Sequence, residues 1–445
     1  SSDLSLAEAL AAVSALAATK PADAWITGYG WNHNLWGGTY PTAQDLDKAA
    51  EGRPVFLSAK SGHAAWVSSR ALELAGITAQ TADPPAGRIL RLAAGQPSGI
   101  LLENAGNLVE RIIPTPSLPE RMQAYRVGMQ AAHRVGLTGV HDMDQPRSLQ
   151  TWQALAEVAD LKLRVVKSIP LDYLEEAIRL GLRTGFGNDW LRLGAVKIFC
   201  DGALGPRTAW MLEPYIGEPE NLGINTTPVE KIQQAVLAAN RSGLATAIHA
   251  IGDRAVREVL DIYAHAREEL GPTPIRNRIE HVQLIAPEDA CRLAELGVIA
   301  SMQPIHATSD YQMADRYWGE RSRFGYGLKT QLSCGATLAL GSDCPVEPLN
   351  PLLGIHAAVT RRRVDGSPAP EGWYPQQRLS VEEAVRGFTQ GPAFAAGMEN
   401  RLGKIAPGYL ADATILDRDI FEIEAMEIPS AKVMQVMVGG RLYLS

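Results

Sequence analysis

The chain has 445 residues, of which 46% are hydrophobic and 20% charged, and its formal net charge is −7. This excludes global disorder, and without a dense basic block it argues against a nucleic-acid partner. No apolar run reaches the ~18 residues that a bilayer span needs, and the length suits a large barrel with insertions plus a smaller domain.

In chain order, residues 4–19 carry Leu4, Leu6, Leu10, Val13 and Leu16 among many alanines, which predicts a helix stopped by Pro21. Residues 22–60 hold Trp25, Trp31 and Trp36 in a glycine-rich stretch and read as irregular and loop-like, with a short strand at 53–58. Residues 64–75 read as a helix ended by Gly76. The runs 88–92 and 99–102 read as a hairpin.

From about residue 118 helices and strands alternate. Helices are expected at 119–135, 149–159, 171–182, 228–242, 253–270, 287–296 and 324–334. Each precedes an apolar, strand-like run, at 137–141, 161–169, 191–199, 244–250, 276–284, 298–303 and 336–341. Such alternation predicts a parallel α/β sheet with helical crossovers. Seven strands are counted, whereas a closed barrel of this type has eight. A helix at 381–396 follows Ser380, with Glu383 placed for a capping box. The tail from about residue 401 turns strand-like and reads as a separate small β unit.

Four of these strands deliver a chemically able side chain at or near the C-terminal end: Lys197, His249, His281 and Asp343. A parallel β/α barrel gathers its catalytic groups at that end. A single strand histidine is more often a core residue. Two on consecutive strands can point at one centre, and neutral imidazole is the commonest metal ligand. Asp343 reads either as a loop or helix-cap residue, or as a metal ligand that takes a proton from water. A buried lysine loses its proton more easily; the neutral amine can then react with carbon dioxide to form an anionic carbamate. The run Asp201-Gly-Ala-Leu-Gly-Pro-Arg207 suits either a substrate-binding loop or a simple turn. His63, Trp66, Arg207, Gln303 and His306 are the candidates for substrate contact, with the tryptophans suggesting an aromatic pocket. His33, His133, His265 and His356 read as surface or packing residues, and His141-Asp142 either orients ligands or packs. Cys200, Cys291, Cys334 and Cys344 contain no Cys-x-x-Cys and read as small buried hydrophobes in a reducing environment. Arg361-Arg362-Arg363 reads as a solvated loop.

Together these residues resemble the amidohydrolase superfamily, in its YtcJ-like branch. The matching stretches are Ser61-Gly-His-Ala-Ala-Trp66, residues 196–207, His249-Ala-Ile-Gly-Asp-Arg254, Arg278-Ile-Glu-His-Val-Gln283, Ser301-Met-Gln-Pro304, residues 341–351 and residues 403–412. The resemblance implies a distorted TIM (β/α)8 barrel with a small β-sandwich, zinc or a similar divalent metal as one or two ions, and hydrolysis of C–N bonds in small molecules. It implies that Lys197 is the carboxylated bridging lysine, that His249 and His281 bind one metal, and that Asp343 is both ligand and general base. Catalytic roles thus fall on Asp343 and Lys197.

The resemblance divides the chain into a helix at 1–21, an insertion at 22–118, a hydrolase barrel at 119–400 and a sandwich part at 401–445. One element departs from the pattern: no His-x-His pair occurs anywhere. The first barrel strand, which carries that pair, is expected before residue 1. Its slot between the strand ending at His141 and the strand ending near Asp343 should be filled by an upstream segment, a partner chain or a rearranged piece of residues 1–60. A metal-dependent amidohydrolase is the leading expectation. The alternatives are a catalytically impaired barrel that only binds, and an esterase or lactonase on the same scaffold. The expected partner is a small-molecule substrate, with a homodimer possible and neither nucleic acid nor membrane involved. With no initiating Met, localisation stays open, the cytoplasm being favoured.

Overall fold

A computed structural model describes residues 5–444, so the expected helix position Leu4 lies outside the described residues. The chain divides into two compact units, one of Ser1–Thr115 with Asp201–Thr226, the other of Pro116–Cys200 with Thr227–Ser445. The segment after Cys200 thus groups with the N-terminal residues, a division that the four-part reading did not contain.

The first unit opens on the helix Leu6–Ala17, capped by Ser5 in a reciprocal pairing with Glu8. It then builds a five-stranded sheet from β1 (Ile26–Trp31), β2 (Val55–Ala59), β3 (Ala64–Val67), β4 (Gly87–Arg91) and β5 (Pro97–Glu103), in the order β1-β2-β3-β5-β4. The expected hairpin is the antiparallel pair β4–β5. Two local readings are corrected. Residues 26–31 are a strand rather than loop, because their backbone pairs in parallel with β2 and the Trp31 indole donates to the Leu57 carbonyl. Residues 64–67 are a strand rather than the start of a helix, because β2 and β5 flank them on both sides. The helix there begins only at Ser69, capped by the Ser68 hydroxyl.

The second unit is an α/β assembly around seven parallel strands: β6 (Gly139–Asp142), β7 (Arg164–Pro170), β8 (Leu191–Phe199), β9 (Thr246–Ala250), β10 (Arg278–His281), β11 (Ile299–Met302) and β12 (Leu338–Leu340). They lie side by side in sequence order, as the alternation of helices and strands predicts. The sheet is curled. Strands β6 and β10 are four places apart, which in a flat sheet would separate them by about 19 Å. Yet Arg278 on β10 donates from its guanidinium to Nδ1 of His141 on β6 across 2.9 Å. A long side chain spans only part of that gap, so the sheet must roll to bring the strands together.

Among the described residues β6 and β12 do not pair with each other. The helix Val381–Ala395 touches both of these edges instead. A Cβ built on its Gly391 would stand 1.9 Å from the Leu338 carbonyl oxygen of β12, and one on Gly387 would stand 2.4 Å from the Leu340 side chain. Its Pro392 carbonyl faces the His141 ring on β6. Glycine lets the helix approach β12 this closely.

The tail forms an antiparallel sheet of β13 (Ala413–Leu416), β14 (Val433–Val438) and β15 (Arg441–Leu444). Arg164 on β7 and Asp412 make a buried two-pronged ion pair that ties this sheet to the parallel one. Two further expectations fail here. Cys291 and Cys334, 43 apart in sequence, form a disulfide, while Cys200, which is buried, and Cys344, which is exposed, lie outside it. The reducing-compartment argument therefore lapses. Arg361 is fully buried rather than solvated, because its guanidinium donates to the carbonyls of Trp373 and Tyr326. No helix among the described residues is long and apolar enough to cross a membrane.

Candidate metal centre

The strand register decides which side chains share a face. On β8 and β9, Lys197 pairs with Ala247, and on β9 and β10, His249 pairs with Glu280. In-register neighbours on parallel strands point the same way, so Lys197, His249 and Glu280 occupy one face. Strict alternation would then send His281 to the other face. It does not go there. His281 has φ 80° and the next residue, Val282, φ 43°, both in the left-handed region. That conformation costs a non-glycine residue about 1–3 kcal/mol. It turns the chain at the strand end, and the rings of His249 and His281 lie edge to face with centroids 4.6 Å apart.

Asp343, beyond the end of β12, also has a left-handed backbone, with φ 59°. One potential ligand atom from each of His281, His306 and Asp343 lies within 4.8 Å of the others. Nδ1 of His281 is 2.8 Å from Oε1 of Gln303. That amide oxygen can only accept, so Nδ1 carries the proton and Nε2 is the atom left to act as a ligand. His306 lies between two carboxylates, with Nε2 3.6 Å from Asp343 and Nδ1 3.6 Å from the buried Glu347. Two imidazoles and a carboxylate make a donor set that suits zinc or a similar divalent ion. Solvent reaches the cluster, since the Asp343 side chain is 39% exposed.

Charge is strongly organised around these groups. Burial pushes the His281 pKa down to about 4, so its ring is neutral near pH 7, as a ligand must be. Crowding by protein raises the Asp343 carboxyl, but His306, His281 and Lys197 outweigh it and hold the pKa below the ordinary value. Burial also opposes a charge on His306, yet attraction to Asp343 and Glu347 wins and pushes its pKa up to about 10, so a cation bound at its Nε2 would have to displace a proton. Glu280 follows the same pattern: burial disfavours its charge, and Arg278 and then Lys197 keep it ionised. The Lys197 amine also stands over the Phe199 ring, 4.4 Å from its centre.

The remaining candidates belong to the first unit. Ala64 of β3 pairs with Leu102 of β5, so His63 and Glu103 meet at the ends of these strands, and Nδ1 of His63 is 2.8 Å from the Glu103 carboxylate. The other oxygen of that carboxylate accepts from the Thr208 hydroxyl. Arg207, with φ 58°, is ion-paired to Glu218 at 2.7 Å. Trp66 is 0% exposed and donates its indole N–H to the Thr42 carbonyl, while packing edge-on against Trp31 and Trp36. The expected aromatic pocket is thus the core of the five-stranded sheet, and Trp66 has no surface to offer a ligand.

Sequence reasoning gave no role to Glu347, Glu280 or Arg278. Glu347 lies four residues after Asp343, inside the matched stretch 341–351, which was the available signal. Arg278 and Glu280 form a buried ion pair at 2.6 Å on the strand that ends in His281. His141, held between Arg278 and Pro392, is kept neutral by burial and by the Arg278 charge, which lower its pKa to about 3.

The profile of the amidohydrolase family matches residues 1–443 of this chain. Protein LONG AFTER FAR-RED 3 of Arabidopsis thaliana is 36% identical, the alignment covering 94% of this chain and 73% of the plant protein. The putative amidohydrolase YtcJ of Bacillus subtilis is 32% identical, over 95% of this chain and 80% of that protein. An N-substituted formamide deformylase of Arthrobacter pascens is 28% identical, over 90% of this chain and 75% of the enzyme. Among solved structures, an uncharacterized metal-dependent hydrolase from Pyrococcus furiosus superposes with a TM-score of 0.68 at 30% identity, covering 94% of this chain and 82% of that one.

Proposed function

Because the chain belongs to the amidohydrolase family, we propose that it is a metal-dependent hydrolase that cleaves a C–N bond of a small molecule, converting an amide and water to an acid and an amine. The observation that carries the reading is the convergence of His281, His306 and Asp343, whose ligand atoms lie within 4.8 Å of one another. Its metal-dependent solved neighbour and its deformylase relative support the class of reaction. On this reading the curled seven-stranded sheet corresponds to the (β/α)8 barrel of the family and the three-stranded sheet to its β-sandwich.

His249, His281, Lys197 and Asp343 would hold zinc or a similar divalent ion, with Lys197 as its carbamate. A bound divalent ion supplies Lewis-acid polarisation of the substrate carbonyl and eases deprotonation of water. Asp343, anionic at neutral pH, takes the proton from the attacking water and delivers it to the departing nitrogen. His281 contributes a neutral nitrogen that Gln303 holds in one tautomer. Lys197, on the same face as His249, would add to carbon dioxide in its unprotonated form and release one proton to water in forming the carbamate. Gln303 remains a proposed contact for a polar group of the substrate.

Metal analysis of the purified chain, with hydrolysis assayed over a panel of amides, formamides and esters, tests this. We expect a bound divalent metal and amide hydrolysis that stops on chelation and returns on adding Zn²⁺ or Mn²⁺. A chain that holds no metal and hydrolyses nothing would instead be a binding protein. Turnover of esters alone would move the chemistry to C–O bonds.

A further inference from the structure

His306 occupies an unusual place. It lies in the first turn of the helix Pro304–Trp318, directly after β11, and its side chain is buried. Its Nε2 stands 3.6 Å from the Asp343 carboxylate. A charge-assisted N–H···O hydrogen bond would be about 2.7–2.9 Å long. Two ligands on one tetrahedral zinc, each at about 2.0–2.1 Å from the metal, lie about 3.3 Å apart. The observed spacing is too long for a good hydrogen bond and close to what two ligands of one ion require.

The support around the ring points the same way. Nδ1 of His306 faces Glu347, a buried carboxylate. Nδ1 of His281 faces Gln303, also buried. Gln303 holds the His281 ring by a hydrogen bond, while Glu347 attracts the Nδ1 side of His306 from 3.6 Å; both rings present Nε2. Ligating histidines are commonly oriented in this way by a carboxylate or carbonyl on the other nitrogen. The two ring centres are 6.0 Å apart, which leaves room for an ion between the Nε2 atoms.

We infer that His306 is itself a metal ligand, completing with His281 and Asp343 a three-residue divalent-cation site, and that Glu347 is the residue that positions it. The inference rests on the metal-dependent reading above and adds a ligand to the set His249, His281, Lys197 and Asp343. Three protein ligands leave a coordination position for water or substrate, as in catalytic zinc sites. Glu347 acts only through His306.

The test uses the full chain and Co²⁺ as the probe. Crystals grown with Co²⁺ should show an anomalous peak about 2.0–2.1 Å from Nε2 of His306 and close to His281 and Asp343. In calorimetric titration His306→Ala should bind Co²⁺ at least ~100-fold more weakly than wild type, and Glu347→Gln about 10–100-fold more weakly, the scale of a lost orienting partner. Circular dichroism and melting would show that each variant is folded; if His306→Ala does not fold, the peak position and Glu347→Gln decide. A peak bonded to His281 and Asp343 but more than ~3 Å from His306 would overturn the inference and leave the metal-dependent reading standing. Full affinity in folded His306→Ala would do the same. If wild type binds no Co²⁺, both fall together.

Discussion

Nδ1 of His281 lies 2.8 Å from Oε1 of Gln303, and this one contact sets which nitrogen of His281 is available to a metal. Gln303→Leu should therefore weaken Co²⁺ binding by about 10–100-fold, with little change in melting temperature. Gln303→Glu, which keeps an acceptor there, should lose less. Equal affinity in the leucine variant would show that the ring needs no such partner.

Asp343→Asn keeps the shape of the side chain and removes its capacity to accept a proton. Turnover of any substrate found for wild type should drop by at least ~10²-fold, while the circular-dichroism spectrum is unchanged. Undiminished kcat would move the base to another group, with the buried Glu347 beside His306 the first to examine.

Two buried histidines outside the metal centre predict acid sensitivity. Burial, reinforced by Arg207, pushes the His33 pKa down to about 4, and burial with Arg362 does the same for His356, from an ordinary value of 6.5. In the folded chain both stay neutral down to about pH 4, whereas in the unfolded chain both protonate near pH 6.5. Unfolding takes up their protons between these values. The stability they favour is present above pH 6.5 and is lost as pH falls towards 4, by up to about 3 kcal/mol for each. Urea unfolding of His356→Asn at several pH values should show a shallower decline than wild type. Parallel declines would assign the acid sensitivity elsewhere.

The Arg164–Asp412 pair ties the three-stranded sheet to β7 with both side chains buried, and Asp412 also accepts from the Gly439 amide. Asp412→Ala strands the guanidinium and should cost about 3–5 kcal/mol. A double variant replacing both residues with apolar ones should recover part of that loss. A single variant as stable as wild type would show that water reaches the arginine.

Reduction of Cys291–Cys334, or the Cys334→Ala variant, should lower unfolding free energy by about 2–4 kcal/mol, since a 43-residue separation makes a long closed loop. Mass spectrometry before and after alkylation would show whether the bridge is present. Two alkylatable thiols at these positions in the untreated protein would remove it from the structure.

What the sequence determined by itself was the series of parallel strands in the second unit and their order. Each of β6 to β12 is a short apolar run preceded by a helix, and that alternation is written in neighbouring residues. The placement of Lys197, His249, His281 and Asp343 at or near strand ends was equally legible, because it needs only the point where each run stops. Tertiary structure decided the rest. Alternation along β10 would separate His281 from His249, and only the left-handed turn at its end brings the rings together. Glu347 meets His306 across 40 intervening positions, the Cys291–Cys334 bridge joins residues 43 apart in sequence, and Arg361 is buried because carbonyls from two other segments accept its hydrogen bonds. Trp66 reads as a pocket residue in its own motif and becomes core once β2 and β5 close on either side. Local patterns record which backbone a segment prefers. They carry no record of which distant side chain will arrive to bind a proton, share a cation or exclude water, since those energies exist only after the chain has closed upon itself.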